Sequence, residues 1–183
     1  MQYRKIVPIK GGRTCLLRSA TEADGEEVYR FFHLTHGQTD FLLAYPDESS
    51  FDVAGEKRFL AGLEAKDNAI MLCAYVDGVL AGTLGMTPIG MKTKLRHRAE
   101  FGITVEQSFQ GLGIGRALTN ACIDCAKQAG YLQLELEAVA DNVPALTLYK
   151  SVGFQEYGRN PRGFRTRDGR WQALVLMRLE LDT

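Results

Sequence analysis

The chain of 183 residues is 45% hydrophobic and 24% charged, a composition that argues against a disordered chain and suits a protein with one sizeable core. Lysine plus arginine (22) balance aspartate plus glutamate (22), so there is no strong positive excess for nonspecific binding to nucleic acid. The first residues are too polar for a signal peptide, and no apolar run is long enough to span a membrane. We therefore expect one cytoplasmic domain over residues 1–183, with neither nucleic acid nor membrane as a partner.

The N-terminal third predicts a strand followed by two amphipathic helices. Residues 14–17 form a short apolar run, and Thr21, followed by acidic residues, is typical of a helix N-cap. Apolar residues then recur at helical spacing as far as Gly37, and a second helical pattern covers residues 51–64. The loop between these helices, residues 38–50, is expected to line a pocket.

The middle of the chain predicts a β-hairpin and a further strand. Two apolar runs, residues 69–76 and 79–86, are joined by Asp77 and Gly78, a dipeptide that strongly favours a two-residue hairpin turn. A basic connection then leads to residues 99–105, which we expect to form another strand.

A glycine-rich loop follows this strand. Its sequence is Gln110-Gly111-Leu112-Gly113-Ile114-Gly115, and a helical pattern continues from it to Gly130. Glycines allow backbone amides to converge and let a ligand approach without meeting a β-carbon. The first amides of a helix also lack partners within the helix and carry partial positive charge, so the loop predicts a diphosphate site. On its own, the glycine pattern is equally compatible with a tight turn.

Two better-known phosphate-binding loops fit less well. No Gly-Lys-Ser or Gly-Lys-Thr follows the glycines, which argues against a nucleoside-triphosphate loop. A dinucleotide-binding fold normally places its glycine loop after an early strand, whereas this loop lies past mid-chain. Glu135 and Glu137 nevertheless lie roughly twenty residues further on, where that fold has an acidic residue. A nicotinamide- or flavin-binding module therefore stays an alternative.

The C-terminal third predicts a strand at residues 132–139 and a helix at residues 142–151. A closing strand pair, residues 154–160 and 171–181, flanks a turn at residues 168–169.

Two pairs of side chains are of the kinds that bind metals, but neither pair is accompanied by the further ligands that a metal site needs. Cys122 and Cys125 lie in a helical pattern with no second pair of ligands, and His33 and His36 lack a further histidine or carboxylate at a recognisable spacing. We expect packing or surface roles for all four, free thiols and no metal.

Two motifs resemble those of the GCN5-related N-acetyltransferase (GNAT) superfamily. The run from Val105 to Gly115 is similar to its coenzyme A motif, an arginine or glutamine followed by x-x-Gly-x-Gly or Ala. Residues 142–154, Asn-Val-Pro-Ala-Leu-Thr-Leu-Tyr-Lys-Ser-Val-Gly-Phe, are similar to its pattern Asn-x-x-Ala-x-x-Leu-Tyr-x-x-x-Gly-Phe. The order of predicted elements from about residue 14 to residue 181 also fits, so the resemblance covers nearly the whole chain.

The resemblance implies an α/β (α+β) fold, the GNAT acyl-CoA N-acyltransferase fold. Its central sheet is mixed and mostly antiparallel, with about six to seven strands flanked by about four helices, and its fourth and fifth strands are splayed. The implied activity is transfer of the acetyl group of acetyl-CoA to a primary amine by direct attack, with acetyl-CoA as co-substrate and no metal. A noncatalytic acyl-CoA sensor with the same fold is the alternative.

The resemblance also implies where coenzyme A binds. Amides of the glycine-rich loop hold the diphosphate, the preceding strand pairs with the pantetheine arm, and Asn142 bonds a pantetheine amide or instead caps its helix. Ser151 stands where many members have lysine, which leaves the 3′-phosphate site between Lys150 and Arg116. The implied cofactor residues are Ile103, Thr104, Val105, Gln110, Gly111, Leu112, Gly113, Ile114, Gly115, Arg116, Asn142 and Lys150.

Two side chains are implied to be catalytic. Tyr149 would donate a proton to the departing thiolate, since a phenol with a reference pKa near 10 is protonated at neutral pH; core packing is its alternative role. Glu100 would act as general base, directly or through a water, and an ion pair with Arg96 or Arg98 is its alternative role.

The acceptor is implied to be an amine of a small molecule, an amino acid or a peptide, and a homodimer is compatible with the fold. Its pocket would be built by the first two helices, the loop at residues 38–50 and the segment at residues 159–170. Arginines in that segment suggest either an acidic acceptor or a solvated face. They are Arg159, Arg162, Arg165, Arg167 and Arg170.

Overall fold

A mixed eight-stranded sheet organises residues 1–181, the part of the chain that this computed structural model describes. The strands are β1 (Arg4–Pro8), β2 (Thr14–Ser19), β3 (Ile70–Val76), β4 (Val79–Pro88), β5 (Arg98–Val105), β6 (Gln133–Val139), β7 (Gln155–Arg165) and β8 (Trp171–Glu180). The α-helices are α1 (Gly25–His36), α2 (Val53–Glu64), α3 (Ile114–Gln128) and α4 (Val143–Ser151). The strand order is β1-β2-β3-β4-β5-β6-β8-β7, and in this sheet only β5 and β6 run parallel.

The predicted fold class is confirmed, but the predicted count of about six to seven strands is too low. The strand that sequence patterns did not predict is β1, which lies at the sheet edge and pairs only with β2. Four of its five residues are exposed, so it lacks the apolar run by which a buried strand is recognised. Because β1 precedes the first predicted strand, the splayed fourth and fifth strands of the implied fold are β5 and β6 here.

The hairpin predicted around Asp77 and Gly78 is confirmed by β3 and β4. These two residues have φ of 51° and 81°, and positive φ at both central positions is typical of the turn that joins strands through two residues. The hairpin leaves the outer edge of β4 free to pair with β5, where Gly85 stands opposite Gly102.

Helices cover both faces of the sheet. The larger core cluster packs α3 and α4 against the central strands and buries Cys122 and Cys125 as free thiols. The smaller cluster packs α1 and α2 against the opposite face, which we call the α1/α2 face. Because Ala99 and Phe101 belong to the larger cluster and side chains alternate along a strand, Glu100 points to the α1/α2 face.

The two parallel strands separate soon after they meet. Only three register pairs join β5 to β6, the last being Glu100 with Glu135. Beyond that pair, β5 continues to Val105 and β6 to Val139, each paired on its outer side with β4 or β8. The ends of β5 and β6 therefore line an open gap, as the resemblance predicts.

Candidate active site

The edge of β5 presents unpaired peptide groups to the gap. The carbonyl of His97 accepts from the amide of Leu132 on the β6 side (2.9 Å), whereas the carbonyl of Arg98 accepts from the amide of Ile89 on the β4 side (3.2 Å). Peptide groups alternate along a strand, so every second residue from this point faces the gap. Beyond the last register pair, whose hydrogen bonds use the amide of Phe101, the gap-facing residues are Ile103 and Val105, and the Val105 carbonyl also accepts from the Gln110 side chain. An extended ligand arm can pair with this edge as another strand would.

Six consecutive amides of the glycine-rich loop have no backbone partner. Within residues 1–181, the amides of residues 111–116 donate no backbone hydrogen bond, and the amide of Ala117 is the first to donate, to the carbonyl of Gly113 (3.0 Å). Gly111 and Gly113 have φ of 77° and 95°, in the left-handed region that glycine adopts readily. A β-carbon at either position would meet no atom within 4 Å, so the space outside the loop is open. Partnerless amides at the start of the long helix α3 are donors of the kind that bind anions.

Contacts with the rest of the protein hold the loop in place. The carbonyl of Leu112 accepts from the amide of Lys10 (3.0 Å), and the side chain of Gln110 donates to the carbonyl of Val105 (3.4 Å). A β-carbon at Gly115 would lie 3.1 Å from a leucine of α4, so this glycine allows α3 and α4 to pack closely. These contacts tie the loop to β5, to α4 and to the segment between β1 and β2.

Ser151, which stands where many GNAT members have lysine, contacts an arginine in the region expected to bind the 3′-phosphate. Arg116 Nη2 donates to Ser151 Oγ (2.8 Å), so its guanidinium lies beside the position that is often lysine in the GNAT superfamily. Lys150 is exposed one residue earlier on α4. Both predicted candidates are exposed, and Arg116 is the one that contacts position 151 directly.

Tyr149 lies beside the gap on the α3/α4 side of the sheet. It is only 6% exposed, and its ring packs edge-on against Phe101 and Phe154, with centroids 6.0 and 5.9 Å apart. Burial raises the pKa of its phenol well above the usual value, and the Cys122 thiol acts in the same direction. Its hydroxyl forms no hydrogen bond with another group of residues 1–181. Tyr149 is thus a neutral donor whose proton is free for a ligand.

Asn142 is the N-cap of α4. Its Oδ1 accepts from the amide of Ala145 (3.3 Å), which is the capping role that the sequence allowed as an alternative. Its Nδ2 group is left to bind a ligand arm, so capping and ligand binding are compatible.

Glu100 is exposed at the last register pair before the gap, and the predicted alternative of an ion pair with Arg98 is wrong. Arg98 instead donates two hydrogen bonds to Glu135, one of them 2.7 Å from Nη2 to Oε2. Glu135 also accepts from Tyr157 (3.2 Å) and Gln133 (3.1 Å), and the Arg98 guanidinium lowers the pKa of this carboxyl below its usual value. No ion pair among residues 1–181 includes Glu100, so its carboxylate is open to contact with a ligand.

A second carboxylate faces the gap from the opposite strand. Leu136 belongs to the larger core cluster, so side-chain alternation directs its exposed neighbour Glu137 to the α1/α2 face, as for Glu100. Sequence reasoning considered Glu137 only as an acidic residue of a dinucleotide fold. The mostly antiparallel sheet and the pairing of Glu135 with Arg98 do not fit that fold. Glu137 lies beside the gap because β6 has separated from β5 at that point. No local sequence pattern indicates where the two strands separate.

Thr104 differs from its neighbours Ile103 and Val105. It pairs with Thr83 of β4, and its side chain lines a cavity under α1 and α2. Its backbone therefore faces away from the gap, and the structure does not bring it together with the other predicted cofactor residues.

The loop between α1 and α2 crosses from the end of β5 to the start of β8. The side chain of Gln38 donates to Glu106, just after β5 (2.7 Å), and the side chain of Gln172 donates to the carbonyl of Asp40 (3.2 Å). The two predicted parts of the acceptor pocket are thus in contact over the wide end of the gap.

The arginines of the β7–β8 hairpin are largely engaged within the protein. Arg167 pairs with Asp47 (2.6 Å), its guanidinium lies 4.1 Å from the ring centroid of Tyr45, and its amide donates to the Tyr45 hydroxyl (3.1 Å). We call the contact made by Tyr45, Asp47 and Arg167 the loop–hairpin contact. Arg159 and Arg170 also pair with carboxylates, and Arg162 and Arg165 each lie 5.4 Å from the ring of Trp171. These contacts account for the arginines without an acidic acceptor.

Metal-binding geometry does not occur in residues 1–181, where no group of three or more histidine, cysteine or carboxylate side chains could hold an ion. Each of His33 and His36 uses its Nδ1 to contact a backbone carbonyl of α1 at 2.9 Å. In the same residues, no helix combines the length and hydropathy needed to cross a membrane.

The chain belongs to the Acetyltransferase (GNAT) family, whose model matches residues 27–154. It is 31% identical over 127 residues to the L-amino acid N-acyltransferase MnaT of Escherichia coli K12, covering 69% of this chain and 70% of that protein. It is 38% identical over 76 residues to the ribosomal protein bS18-alanine N-acetyltransferase of the same organism, covering 42% of this chain and 51% of that protein. The chain thus spans about half the length of this second relative.

Solved structures agree with the sequence relatives. The GNAT-family acetyltransferase from Streptococcus pneumoniae superposes with a TM-score of 0.87 at 25% identity, covering 92% of this chain and 99% of that chain. The family and the fold predicted from the two motifs are therefore confirmed.

Proposed function

We propose that this protein transfers the acetyl group of acetyl-CoA to the α-amine of an amino acid or peptide. The observation that carries the proposal is the combination of an unpaired strand edge with six partnerless amides, which fits a thioester carrier that has an extended arm and a diphosphate. The names of two relatives support the acceptor class, since one acts on L-amino acids and the other on an alanine of a ribosomal protein.

Binding of acetyl-CoA would use groups on both sides of the gap. The amides of residues 111–116 hold the diphosphate, and the peptide groups of Ile103 and Val105 pair with the pantetheine arm. Asn142 donates through Nδ2, and Arg116 with Lys150 offers positive charge to the 3′-phosphate. When bound, acetyl-CoA supplies an activated acetyl thioester at the edge of the gap.

The chain's own side chains would move the protons. Glu100, on the α1/α2 face, accepts a proton from the incoming ammonium or amine, directly or through a water, and Glu137 is the second carboxylate on that face. Tyr149, on the α3/α4 side, donates its proton to the departing sulfur. The amide of Ile103 faces the gap beyond the last register pair and can stabilise negative charge on the carbonyl oxygen during attack. The products are an amide and a free thiol.

Amine basicity favours an α-amine as the acceptor. An amine must be neutral to attack, and at pH 7 deprotonation of an α-amine of pKa about 8 costs roughly 1.4 kcal/mol. The same step for a lysine side chain of pKa about 10.4 costs roughly 4 to 5 kcal/mol. An α-amine therefore demands less of a general base such as Glu100 than a lysine side chain does.

Release of free thiol from acetyl-CoA tests the proposal. We expect alaninamide to be acetylated at pH 7 much faster than Nα-acetyl-lysinamide, which offers only a side-chain amine. Glu100→Gln should slow the reaction at pH 7 and recover much of the rate near pH 9, where the α-amine is already neutral. Glu137→Gln, measured in parallel, shows whether the second carboxylate shares this role. Stabilisation by acetyl-CoA without thiol release for any amine would contradict the proposal and indicate a noncatalytic sensor.

A further inference from the structure

A cavity of about 280 Å³ lies between α1, α2 and the α1/α2 face of the sheet, and the proposed proton transfers do not use it. Phenylalanines of both helices and of the loop between them form much of its wall, together with Met71. Thr83 and Thr104 form part of its floor. A concave apolar space with a few polar groups is typical of a small-molecule site.

One carboxylate in this cavity lacks a partner. Glu48 accepts from the amide of Tyr45 (2.9 Å) and lies 3.7 Å from Arg167, so it is engaged. Glu56, in the first turn of α2, is half-buried, its carboxylate forms no hydrogen bond or ion pair within residues 1–181, and its pKa is raised by burial alone. A half-buried carboxylate without a partner is unfavourable unless a ligand supplies a cation or an N–H donor.

The aromatic walls favour the same kind of ligand. A positive charge is attracted to the faces of aromatic rings. The stacked rings of Phe51 and Phe59 (centroids 5.4 Å apart) line the cavity, and Phe59 lies on α2 three residues after Glu56. His36 also lines the cavity, but its Nδ1 contacts the carbonyl of Phe32 and burial lowers its pKa, so it brings no positive charge at neutral pH. Glu56 is therefore free to pair with a cation from the ligand.

A bare strip of the sheet connects the cavity to the gap. Thr104 on the cavity floor and Glu100 beside the gap flank Gly102, which stands opposite Gly85. A β-carbon at Gly102 would meet no atom within 4 Å, whereas one at Gly85 would lie 3.6 Å from Met71 Cε, so the strip is open over Gly102 and bordered by Met71 on the β4 side. The four residues from Glu100 to Thr104 span about 13 Å, a distance that an extended lysine side chain can cover together with the lengths of the Glu100 and Glu56 side chains at its two ends.

We infer that this cavity binds the side chain of the acceptor and that Glu56 pairs with a positive charge at the end of that side chain. The inference rests on the proposed function and gives the acceptor a class, an α-amine on a residue with an apolar chain of lysine-like length and a cationic end. The apolar stem would lie along the bare strip, with the α-amine left beside Glu100.

Three acceptors that share an α-amine separate the contributions of chain and charge. Glycinamide has no side chain, norleucinamide has a four-carbon chain, and Nε,Nε-dimethyl-lysinamide adds a tertiary ammonium that forms no stable amide. We expect kcat/KM to rise in that order, with the dimethyl-lysinamide exceeding norleucinamide by about tenfold, as for one charge-assisted pair in an apolar site.

Two variants and a control assign the effect to the cavity. Glu56→Gln should abolish the advantage of the charged acceptor and leave the rate with glycinamide unchanged. Thr83→Phe should fill the floor and remove the advantage of both long acceptors. Glu26→Gln, which removes an exposed carboxylate of α1 paired with Arg30, should change none of the three rates.

Binding provides a readout that does not depend on turnover. With coenzyme A present, dimethyl-lysinamide should raise the unfolding midpoint of the wild-type protein but not that of Glu56→Gln. Equal rates for the three acceptors, or an equal effect of Glu56→Gln on all of them, would overturn the inference while leaving the proposed function intact. Absence of thiol release with every amine would end the proposed function, and the binding comparison would still decide on the cavity.

Discussion

At the scale of single residues, burial decides which chemistry Tyr149 can perform. Its raised pKa keeps the phenol protonated throughout the pH range of an ordinary assay, so it can donate a proton and cannot serve as a base. The rings of Phe101 and Phe154 hold its ring in place without using its hydroxyl. Packing and catalysis, which the sequence posed as alternatives, are therefore compatible in this residue.

Replacement of Tyr149 by phenylalanine should separate these two roles. The ring contacts remain in Tyr149→Phe, so the affinity for acetyl-CoA should stay within about twofold, whereas loss of a general acid should lower kcat by roughly 100-fold or more. Steady-state kinetics and calorimetric titration with acetyl-CoA measure the two quantities. Tyr131→Phe is the control, because Tyr131 is also buried but donates to the carbonyl of Asn68. An unchanged kcat in Tyr149→Phe would remove this residue from the mechanism.

Individual site residues were predictable where a local motif contains them. Tyr149 and Asn142 stand at fixed positions in one helix motif, and the structure places both beside the predicted gap. The partner of Arg98 was not predictable, because the choice between Glu100 and Glu135 depends on how a distant strand aligns with β5. The position of Glu137 beside the gap was not predictable for the same reason.

At the scale of secondary-structure elements, the start of α3 depends on glycine conformation. Gly113 is the residue before α3, and its φ of 95° is a conformation that a residue with a β-carbon adopts at a cost of about 1 kcal/mol. Gly130, just after α3, has φ of 78°, and neither position has an atom within 4 Å of an added β-carbon. The two glycines are therefore matched in conformation and surroundings, but only Gly113 lies in the proposed diphosphate site.

Alanine at each glycine should separate stability from binding. Gly113→Ala and Gly130→Ala should each lower the free energy of unfolding by about 1 kcal/mol, because both force a β-carbon into positive φ. Only Gly113→Ala should weaken acetyl-CoA binding, by about tenfold or more. The changed backbone conformation would reorient the loop amides, and the added methyl group would occupy the open space in front of them. Urea unfolding and calorimetry measure the two effects. Equal affinity in both variants would count against the loop as the diphosphate site.

The closed end of the gap is held by Arg98 and Glu135. Glu135→Gln should lower the free energy of unfolding at pH 7 by about 2 kcal/mol, less than for a fully buried pair because the Arg98 side chain is 30% exposed. Because the pKa of Glu135 is lowered in the folded protein, its contribution is complete above the unfolded pKa of about 4.3 and disappears as pH falls through the lower folded value.

Urea unfolding of the wild type and Glu135→Gln at pH 7 and pH 3.5 measures this contribution. The difference between the two proteins should shrink at the lower pH. Glu180→Gln is the control, because its pair with Arg178 (3.3 Å) is exposed and should contribute less than about 0.5 kcal/mol. A difference that does not depend on pH would mean that Glu135 stabilises β5 and β6 without its charge.

Elements differed in how clearly the sequence encoded them. The β3–β4 hairpin was predictable because Asp77 and Gly78 meet the conformational demand of its turn locally. The strand β1 was not, since an exposed edge strand pairs through its backbone and needs no apolar pattern. The splay of β5 from β6 came only from the family resemblance, because no local pattern specifies where pairing stops.

At the scale of the whole molecule, the two substrates would approach opposite faces of one gap. The α3/α4 face contributes the anion site and Tyr149, whereas the α1/α2 face contributes Glu100, Glu137 and the cavity with Glu56. A cleft of about 640 Å³, lined in part by Asp40 and Trp171, opens where the α1–α2 loop meets the β7–β8 hairpin. This arrangement lets acceptor recognition change without altering the cofactor side.

The loop–hairpin contact should therefore affect the acceptor alone. Arg167 and Asp47 are 54% and 67% exposed, so Asp47→Asn should leave the free energy of unfolding nearly unchanged. The loop over the wide end of the gap would be held less firmly, and we expect KM for the acceptor to rise by roughly threefold to tenfold with KM for acetyl-CoA unchanged.

Salt provides an independent test of the same contact. Raising ionic strength shortens the screening length from about 10 Å at 0.1 M to about 3 Å at 1 M, so it should raise acceptor KM in the wild type and have less effect in Asp47→Asn. Asp124→Asn, which breaks an exposed pair with Lys5 remote from the gap, should retain the wild-type salt response. If acceptor KM responds equally to salt in Asp47→Asn and the wild type, the ion pair does not position the loop. The contact between Arg167 and the Tyr45 ring would then be what holds the loop against the hairpin.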